Sequence, residues 1–268
     1  MHNKTISELS KLIAKKELSS LELTNHFLDR IKNYDHELNS FITLTEDHAI
    51  NKAKLIDKEI SKGILKPLSG IPLAQKDIFC TKNIKTTCGS KMLANFISPY
   101  DATVVKKLND AGMVVVGKTN MDEFAMGSAS DTCNLGDVIN PWTTDFKKPL
   151  TPGGSSGGSA GIIAASGACF SLGTDTGGSV RNPASKNGLL GMKATYGRVS
   201  RRGVIPLSFS LDHVGPLTRT VRDNALALSI ISGFDEQDPG SSDVVTPNFS
   251  KYSGSGVKGL KIGIIKHF

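Results

Sequence analysis

Glycine is concentrated in one part of this 268-residue chain. Residues 153–215 contain 14 glycines, about half of the 27 in the whole sequence. They show no G-X-Y period and are interleaved with apolar residues, which excludes a collagen-like chain and a flexible linker. Glycine is needed where the backbone adopts a positive φ or approaches a ligand closely. The concentration therefore indicates a compact site built largely from backbone inside a folded domain.

Composition places the chain among globular proteins. Hydrophobic residues make up 38% of the sequence and charged residues 21%, which is enough to bury a core. No stretch approaches the ~18 consecutive apolar residues of a membrane span, and the N-terminus lacks the apolar region of a signal peptide. The four cysteines and six histidines form no CxxC or HExxH pattern. We therefore expect a cytoplasmic protein with reduced thiols, no metal site and no membrane contact.

The formal net charge of +7 raises the question of a nucleic-acid partner. Part of this charge lies in a group that we call the arginine cluster, Arg198, Arg201 and Arg202. A protein that binds single strands interleaves such charges with aromatic side chains for base stacking, and no aromatic residue interleaves here. The pattern therefore favours a solvated basic surface.

Helices followed at once by apolar strands predict an α/β protein. The spacing of Ser19 and Glu22 matches a capping box and predicts the start of an amphipathic helix. Asp101 is the predicted N-cap of another helix, and Gly112 is the glycine that ends it. The predicted helices cover residues 19–34, 101–112, 161–169 and 220–231, and the predicted strands cover residues 113–116 and 260–265.

Two glycine motifs match nucleotide-binding patterns but lack the required surroundings. The run 112–119 fits G-x-x-x-x-G-K-S/T, yet its four intervening residues, Met-Val-Val-Val, favour a buried strand over a phosphate loop. The run 254–259 fits G-x-G-x-x-G but precedes a predicted strand, so no helix N-terminus would face a pyrophosphate. We expect neither run to bind a nucleotide.

Two related glycine-serine runs carry the clearest chemical signal, GGSSGGS at 153–159 and GTDTGGS at 173–179. In the second run, we expect the N–H groups of Thr176, Gly177 and Gly178 to point together at an oxyanion just before the Ser179 hydroxyl. This arrangement is typical of acyl transfer. Either run taken alone is equally typical of a turn.

A serine nucleophile needs a base, and no histidine lies near these runs in the sequence. The alternative is a lysine kept neutral by burial or by neighbouring charge. Lys76 is the best candidate, because it ends the run 70–75, which a strand would deliver into the interior. An ordinary surface position is the alternative for any single lysine.

Together these segments resemble the amidase signature family. The serines Ser155 and Ser179 are 24 residues apart, as in that family. The supporting segments are GTDTGGSVR at 173–181, 191–197, 216–220 and Lys76-Asp77, and the segments 121–127 and 195–201 resemble its glutamine-hydrolysing amidotransferase subunits. The resemblance implies an amidase signature fold, α/β with a mixed central sheet covered by helices on both faces. It also implies one domain over 1–268, with an N-terminal helical region at 1–66 and a catalytic core at 67–268 that is incomplete at its C-terminus.

The resemblance also implies residue roles. Ser179 matches the acylated nucleophile, Ser155 the serine in a cis peptide that relays the proton, and Lys76 the base. Asp175 and Arg181 match positions that brace the site.

The implied substrate is glutamine, with Met126 either near it or in the core. The chain itself would hold no cofactor. Ammonia would pass to a partner subunit that binds glutamyl-tRNA and uses ATP and magnesium. A small third subunit completes the implied complex, and contact with tRNA is expected to be indirect.

Three departures from the family pattern leave two other functions open. Lys186-Asn187 stands where the family has an apolar pair, the connection over 143–151 is long, and a C-terminal portion that grips glutamine is expected after residue 268. The alternatives are a stand-alone amidase acting on another small amide and an inactive truncated subunit that acts only as an interaction partner.

Overall fold

The computed structural model describes residues 1–251, 254 and 256–266. Its helices are α1 (Ile6–Ala14), α2 (Ser20–Leu38), α3 (Glu46–Ser61), α4 (Thr103–Asp110), α5 (Gly157–Ala164), α6 (Arg181–Asn187) and α7 (Val221–Ile231). Its strands are β1 (Phe41–Leu44), β2 (Pro72–Lys76), β3 (Val114–Thr119), β4 (Phe170–Asp175), β5 (Leu190–Gly191) and β6 (His213–Thr218). These described residues contain no helix with the length and hydrophobicity needed to cross a bilayer.

Six strands form one sheet in the order β1-β3-β2-β4-β6-β5. The central pairs, β3 with β2 and β2 with β4, are parallel, whereas β1, β5 and β6 pair antiparallel with their neighbours. The three central strands are buried along their whole length, as is usual for parallel strands covered on both faces. The predicted α/β class with a mixed central sheet is confirmed.

Two crossover connections run in opposite directions along the sheet. The chain passes from β2 through α4 to β3 on one side of β2, and then from β3 through α5 to β4 on the other side. Because such crossovers are right-handed, α4 and α5 cover opposite faces of the sheet. The carboxyl ends of β2 and β4 therefore border the crevice in which α/β sheets bind ligands.

Local capping chemistry sets the helix starts. The predicted capping box is confirmed at α2, where Glu22 N–H donates to Ser19 Oγ and Ser19 N–H donates to the Glu22 carboxylate. The predicted N-cap at Asp101 is wrong by one residue, since Ala102 precedes α4. The reason is that the Asp101 carboxylate accepts a hydrogen bond from Lys82 N–H at 2.7 Å instead.

The glycine-rich segment begins its helix earlier than predicted. Helix α5 covers Gly157–Ala164 rather than residues 161–169, and β4 follows it. The helix lies so close to its neighbours that a Cβ at Gly158 would be 2.4 Å from Ser40 O. Glycine here permits close packing of a helix, which a pattern based on apolar residues does not detect.

One hydrophobic core joins the N-terminal part of the chain to the rest. The buried cluster includes Leu23 and Phe27 of α2, Val115 of β3 and Phe170 of β4. The predicted helical region at 1–66 contains α1, α2 and α3, but also β1, which pairs with β3 in the same sheet. The division at residue 66 between an N-terminal helical region and a catalytic core therefore stays a prediction.

The predicted strand over residues 260–265 is wrong. Residues 256–266 contain no strand, and the side chains of Leu260, Ile262 and Ile264 are largely exposed. A strand needs partners for its backbone N–H and C=O groups, and apolar alternation alone does not supply them. The predicted helix over 220–231 is confirmed as α7.

Both nucleotide-like motifs have the surroundings expected of non-binding segments. Gly112 follows α4 with a φ of +89°, and residues 114–119 of the first run form β3, with Lys118 fully buried. In the second run, Gly254, Gly256 and Gly259 have positive φ and open surroundings. No helix follows them within residues 256–266.

The arginine cluster is held mainly by the protein itself. Arg198 Nη1 donates to Val244 O at 2.9 Å, and Arg201 Nη2 lies 3.1 Å from Asp238 Oδ1 in a largely buried ion pair. Arg202 is exposed. The interpretation as a solvated surface is therefore corrected for Arg201, which fastens the segment after α7, whereas the contacts of Arg198 lie at the surface.

Candidate active site

Lys76 ends β2 at the crevice between β2 and β4. Its side chain is fully buried, and its Nζ atom donates hydrogen bonds to Ser155 Oγ at 2.7 Å and to Thr174 Oγ1 at 2.9 Å. The strand delivers it there because the preceding residues 71–74 are buried in the core. The structure thus brings together two of the three predicted catalytic side chains.

The surroundings of Lys76 favour loss of its proton. Burial lowers the pKa of Lys76 from its ordinary value of 10.5 to about 7, because an ammonium group is destabilised when it leaves water. Negative charge opposes this shift, and the largest opposing effect comes from Asp122. A lysine with a pKa near 7 is suited to general base chemistry near neutral pH.

Ser155 lies in a tightly packed loop. The peptide bond between Gly154 and Ser155 is cis, as the family resemblance implies, and the Ser155 side chain is fully buried. A Cβ at Gly154 would lie 2.1 Å from Asp122 Oδ2, so only glycine fits there. Ser156 N–H donates to Ser179 O at 3.2 Å. The loop is therefore fastened to the segment that carries the predicted nucleophile.

Ser179 follows β4 and faces a cavity of about 260 Å³. The cavity is lined by residues 125–128, 154, 176–179, 182 and 207. Ser179 is 8% exposed and is one of the residues that line the cavity. Across the described residues, the Ser179 hydroxyl makes no hydrogen bond to Ser155 or to Lys76. The contact between the two serine hydroxyls is thus not made in this conformation.

Not all of the predicted oxyanion donors point freely into the cavity. Gly178 N–H donates to Asp175 Oδ1 at 2.8 Å, so the structure does not leave it free for an oxyanion. The N–H groups of Thr176 and Gly177 have no hydrogen-bond partner in the described part of the chain. The Thr176 hydroxyl donates to Asp212 Oδ1, which fixes the loop. We therefore keep the oxyanion proposal for Thr176 and Gly177.

Asp175 and Arg181, predicted to brace the site, form a two-point ion pair. Arg181 Nε lies 3.0 Å from Asp175 Oδ2 and Arg181 Nη2 lies 3.0 Å from Asp175 Oδ1. Backbone N–H groups of Gly178 and Val180 donate to the same carboxylate. Burial alone would raise the pKa of Asp175, but these hydrogen bonds outweigh it and hold the pKa below its ordinary value. The ionised carboxylate therefore fixes the loop that carries Ser179.

Met126 lines the cavity, and 59% of it is exposed. This exposure places it at the cavity rim rather than in the core, and its contact with glutamine stays a prediction. Within the described ranges, no group of three or more His, Cys, Asp or Glu residues is placed to hold a metal ion.

Two buried polar residues at the site carry no role in the sequence prediction. Thr174 accepts a hydrogen bond from Lys76, and Asp122 packs against Gly154. Both lie inside segments that carry the family resemblance, so that resemblance is the signal that points to them. Residue type alone does not, because a buried threonine or aspartate is more often a structural group.

The structure also shows the surroundings of two departures from the family pattern, Asn187 and the connection over residues 143–151. Asn187 is buried, and its Nδ2 atom donates to Pro152 O at 2.7 Å and to Pro183 O at 2.8 Å. The bond to Pro152 joins α6 to the start of the Ser155 loop, and the bond to Pro183 lies within α6. The long connection over 143–151 is irregular and largely exposed.

The chain is similar to one group of curated proteins over its whole length. A family model described as Amidase matches residues 22–268. The A subunit of glutamyl-tRNA(Gln) amidotransferase from Coxiella burnetii (strain Dugway 5J108-111) is 52% identical over 268 residues, which are 100% of this chain and 55% of that protein. The chain thus spans about half the length of the curated relatives it matches.

Solved structures confirm the predicted amidase fold. The A subunit of glutamyl-tRNA(Gln) amidotransferase from Thermotoga maritima has a TM-score of 0.78 and 40% identity, covering 91% of this chain and 50% of that one. A structure from work on a vestigial protein complex and the evolutionary origins of an s-triazine catabolic enzyme has a TM-score of 0.91 and 37% identity, covering 96% of this chain and 56% of that one. Sequence, fold and the arrangement around Lys76 agree, and the chain belongs to the amidase family.

Proposed function

We propose that the chain hydrolyses an amide through a serine–serine–lysine relay. Ser179 is the nucleophile, Ser155 relays the proton and Lys76 is the base. The observation that carries this proposal is the 2.7 Å contact between a fully buried lysine and the serine of the glycine-rich loop. Ser179 lies beside that loop at a cavity large enough for a small amide group.

In the proposed reaction, neutral Lys76 accepts the proton of the Ser155 hydroxyl, which in turn accepts the proton of Ser179. A side-chain rotation of Ser179 supplies the contact between the two hydroxyls. Ser179 Oγ then bonds to the amide carbon, and the N–H groups of Thr176 and Gly177 bind the carbonyl oxygen as it becomes negative. The proton returns by the same route to the amide nitrogen, the C–N bond breaks and ammonia leaves. Water hydrolyses the resulting ester by the same relay.

The substrate we propose is glutamine. The relatives at 52% identity are named as the A subunit of glutamyl-tRNA(Gln) amidotransferase, which supports a glutamine-dependent amidotransferase rather than a general amidase. In this proposal, ammonia passes to a partner subunit that binds glutamyl-tRNA and uses ATP and magnesium, a small third subunit is present, and tRNA contact by this chain is indirect.

Ammonia release from glutamine tests this proposal, measured for the chain alone and with a tRNA-binding partner subunit. We expect hydrolysis to be lost in Ser179→Ala and retained in Ser185→Ala. Ser185 is an exposed serine on α6, so its substitution serves as the matched control. Mass spectrometry of the protein mixed with glutamine should find the γ-glutamyl ester on Ser179. No hydrolysis in either condition, or undiminished hydrolysis by Ser179→Ala, would contradict the proposal.

Hydrolysis of a different small amide, without partner subunits, is the second candidate function. It is supported by the match to the family model described as Amidase, a description that names neither glutamine nor a partner subunit. A panel of primary amides measured beside glutamine separates the two candidates. A kcat/KM for another amide at least tenfold above that for glutamine would favour the second one.

A further inference from the structure

We propose that Asp122 is a positioning residue of this site, which holds the Ser155 loop in place and acts as the counter-charge of Lys76. The proposal rests on the serine–serine–lysine function above. It assigns no contact with substrate to Asp122, which acts through the two residues that it positions.

The first support is the packing of Asp122 against the loop. Its side chain is fully buried, and its N–H group donates to Ser155 O at 3.3 Å. A Cβ at Gly154 would lie 2.1 Å from Asp122 Oδ2, and a Cβ at Gly127 would lie 2.3 Å from Asp122 Cγ. The carboxylate thus occupies the space between two walls of the cavity that Ser179 faces.

The second support is a set of hydrogen bonds that keeps the carboxylate fixed. Ser130 N–H donates to Asp122 Oδ2 at 3.0 Å, and Asp131 N–H and the Thr132 hydroxyl donate to Oδ1 at 3.2 and 3.1 Å. Three donors of this kind stabilise an ionised carboxylate. The Ser130 hydroxyl in turn donates to Gly153 O at 3.0 Å, so the network extends to the start of the Ser155 loop.

The third support is electrostatic. Burial has the largest effect on the pKa of Lys76 and lowers it, whereas the neighbouring titratable groups Asp122, Cys88, Asp212 and Asp175 raise it, Asp122 most strongly. When Lys76 accepts the proton of Ser155 it becomes an ammonium ion in a fully buried position. A fixed negative charge nearby stabilises that ion, in the same way that a buried aspartate stabilises the imidazolium of a serine protease triad.

The test compares Asp122→Asn with Thr132→Val. This control removes the hydrogen bond from Thr132 to the same carboxylate, and the one that Thr132 accepts from Glu123 N–H, but leaves the charge of Asp122 in place. The titration of Lys76 is followed by NMR of ¹³C-labelled lysine, with the signal assigned by its loss in Lys76→Met. In parallel, kcat/KM for glutamine is measured against pH. Because Asp122 raises the pKa of Lys76, we expect the NMR titration midpoint of Lys76 to move to lower pH in Asp122→Asn but not in Thr132→Val. The acid limb of the kcat/KM profile should move in the same way. The maximum of kcat/KM should fall by at least about tenfold, because a weaker base removes protons less effectively.

An unchanged Lys76 midpoint in Asp122→Asn would overturn the proposal, and so would an equal shift in Thr132→Val, because a merely structural role predicts similar behaviour for both. If Asp122→Asn does not fold, Asp122→Ser replaces it and the same two outcomes decide, since serine is smaller than aspartate and leaves more room beside Gly127 and Gly154. If the native chain releases no ammonia, the proposed function fails. The NMR midpoints still decide the role of Asp122 in that case.

Discussion

Two fully buried lysines lie on neighbouring parallel strands, Lys76 at the end of β2 and Lys118 near the end of β3. Lys76 contacts two neutral hydroxyl groups. Lys118 instead lies 2.9 Å from Asp77 Oδ1 and donates to Phe79 O at 2.9 Å. Asp77 directly follows Lys76 in the chain. Because successive side chains along an extended backbone point to opposite faces, Asp77 pairs with Lys118 rather than with Lys76. The comparison teaches that the partner of a buried lysine, rather than burial alone, decides whether it can serve as a base.

The sharpest test of the comparison replaces Lys76 with an uncharged side chain of similar length. We expect Lys76→Met to lower kcat/KM for glutamine by roughly 10²–10⁴-fold, which is the usual contribution of a general base. The variant should stay folded, since no buried carboxylate depends on Lys76 for its hydrogen bonds in the described structure. Steady-state kinetics and thermal unfolding check the two expectations. Near-native turnover by Lys76→Met would show that the relay is wrongly assigned.

Replacing Lys118 with methionine should have the opposite effects, lowering stability while leaving turnover nearly unchanged. Lys118→Met leaves Asp77 buried without its counter-ion, and we expect a loss of about 3–5 kcal/mol in the free energy of unfolding. Turnover per folded molecule should stay close to that of the native chain. Urea denaturation measures the loss, and the double variant Asp77→Asn/Lys118→Met should recover part of it. Stability equal to that of the native chain in Lys118→Met would break the comparison.

The smallest expected effect is a dependence of activity on pH. Only the unprotonated form of Lys76 can accept a proton, and its pKa is lowered to about 7. The active fraction therefore falls as pH falls through 7, and kcat/KM should be roughly tenfold lower at pH 6 than at pH 8. A pH-rate profile in buffers of constant ionic strength measures this limb. A flat profile between these values would place the base elsewhere.

Sequence patterns predict well where local chemistry decides the structure. The capping box at Ser19 and the buried strand after Gly112 depend on neighbouring residues, and both are found as predicted. The pairing of Lys76 with Ser155 is predicted from family resemblance, which carries information on contacts between residues that are distant in the chain. The structure brings their side chains to 2.7 Å.

The remaining differences arise where another residue takes a hydrogen-bonding group that the sequence pattern assigns elsewhere. Asp101 does not cap α4 because Lys82 N–H occupies its carboxylate, and Gly178 N–H is taken by Asp175. The run 260–265 has the composition of a strand, but residues 256–266 contain no strand. Asp122 lacks any local signal, since its importance comes from the loop that it supports about 30 residues away. For Asp101 the deciding partner lies outside the segment, whereas for Gly178 it lies in the same run and only the folded geometry shows which group takes the N–H.

The arginine cluster has a consequence for how this face would respond to salt. Nucleic-acid binding draws much of its free energy from counterions that leave the phosphate backbone when protein cations replace them. The charge of Arg201 is already paired with the Asp238 carboxylate, so a phosphate would have to displace that partner. Arg198 donates through Nη1 alone to neutral carbonyl oxygens, so its charge is not paired within the described residues. Arg202 is exposed and ready to replace a counterion. The number of arginines in the cluster therefore overstates the number of counterions that a nucleic acid would displace on this face, because the charge of Arg201 is already paired within the chain.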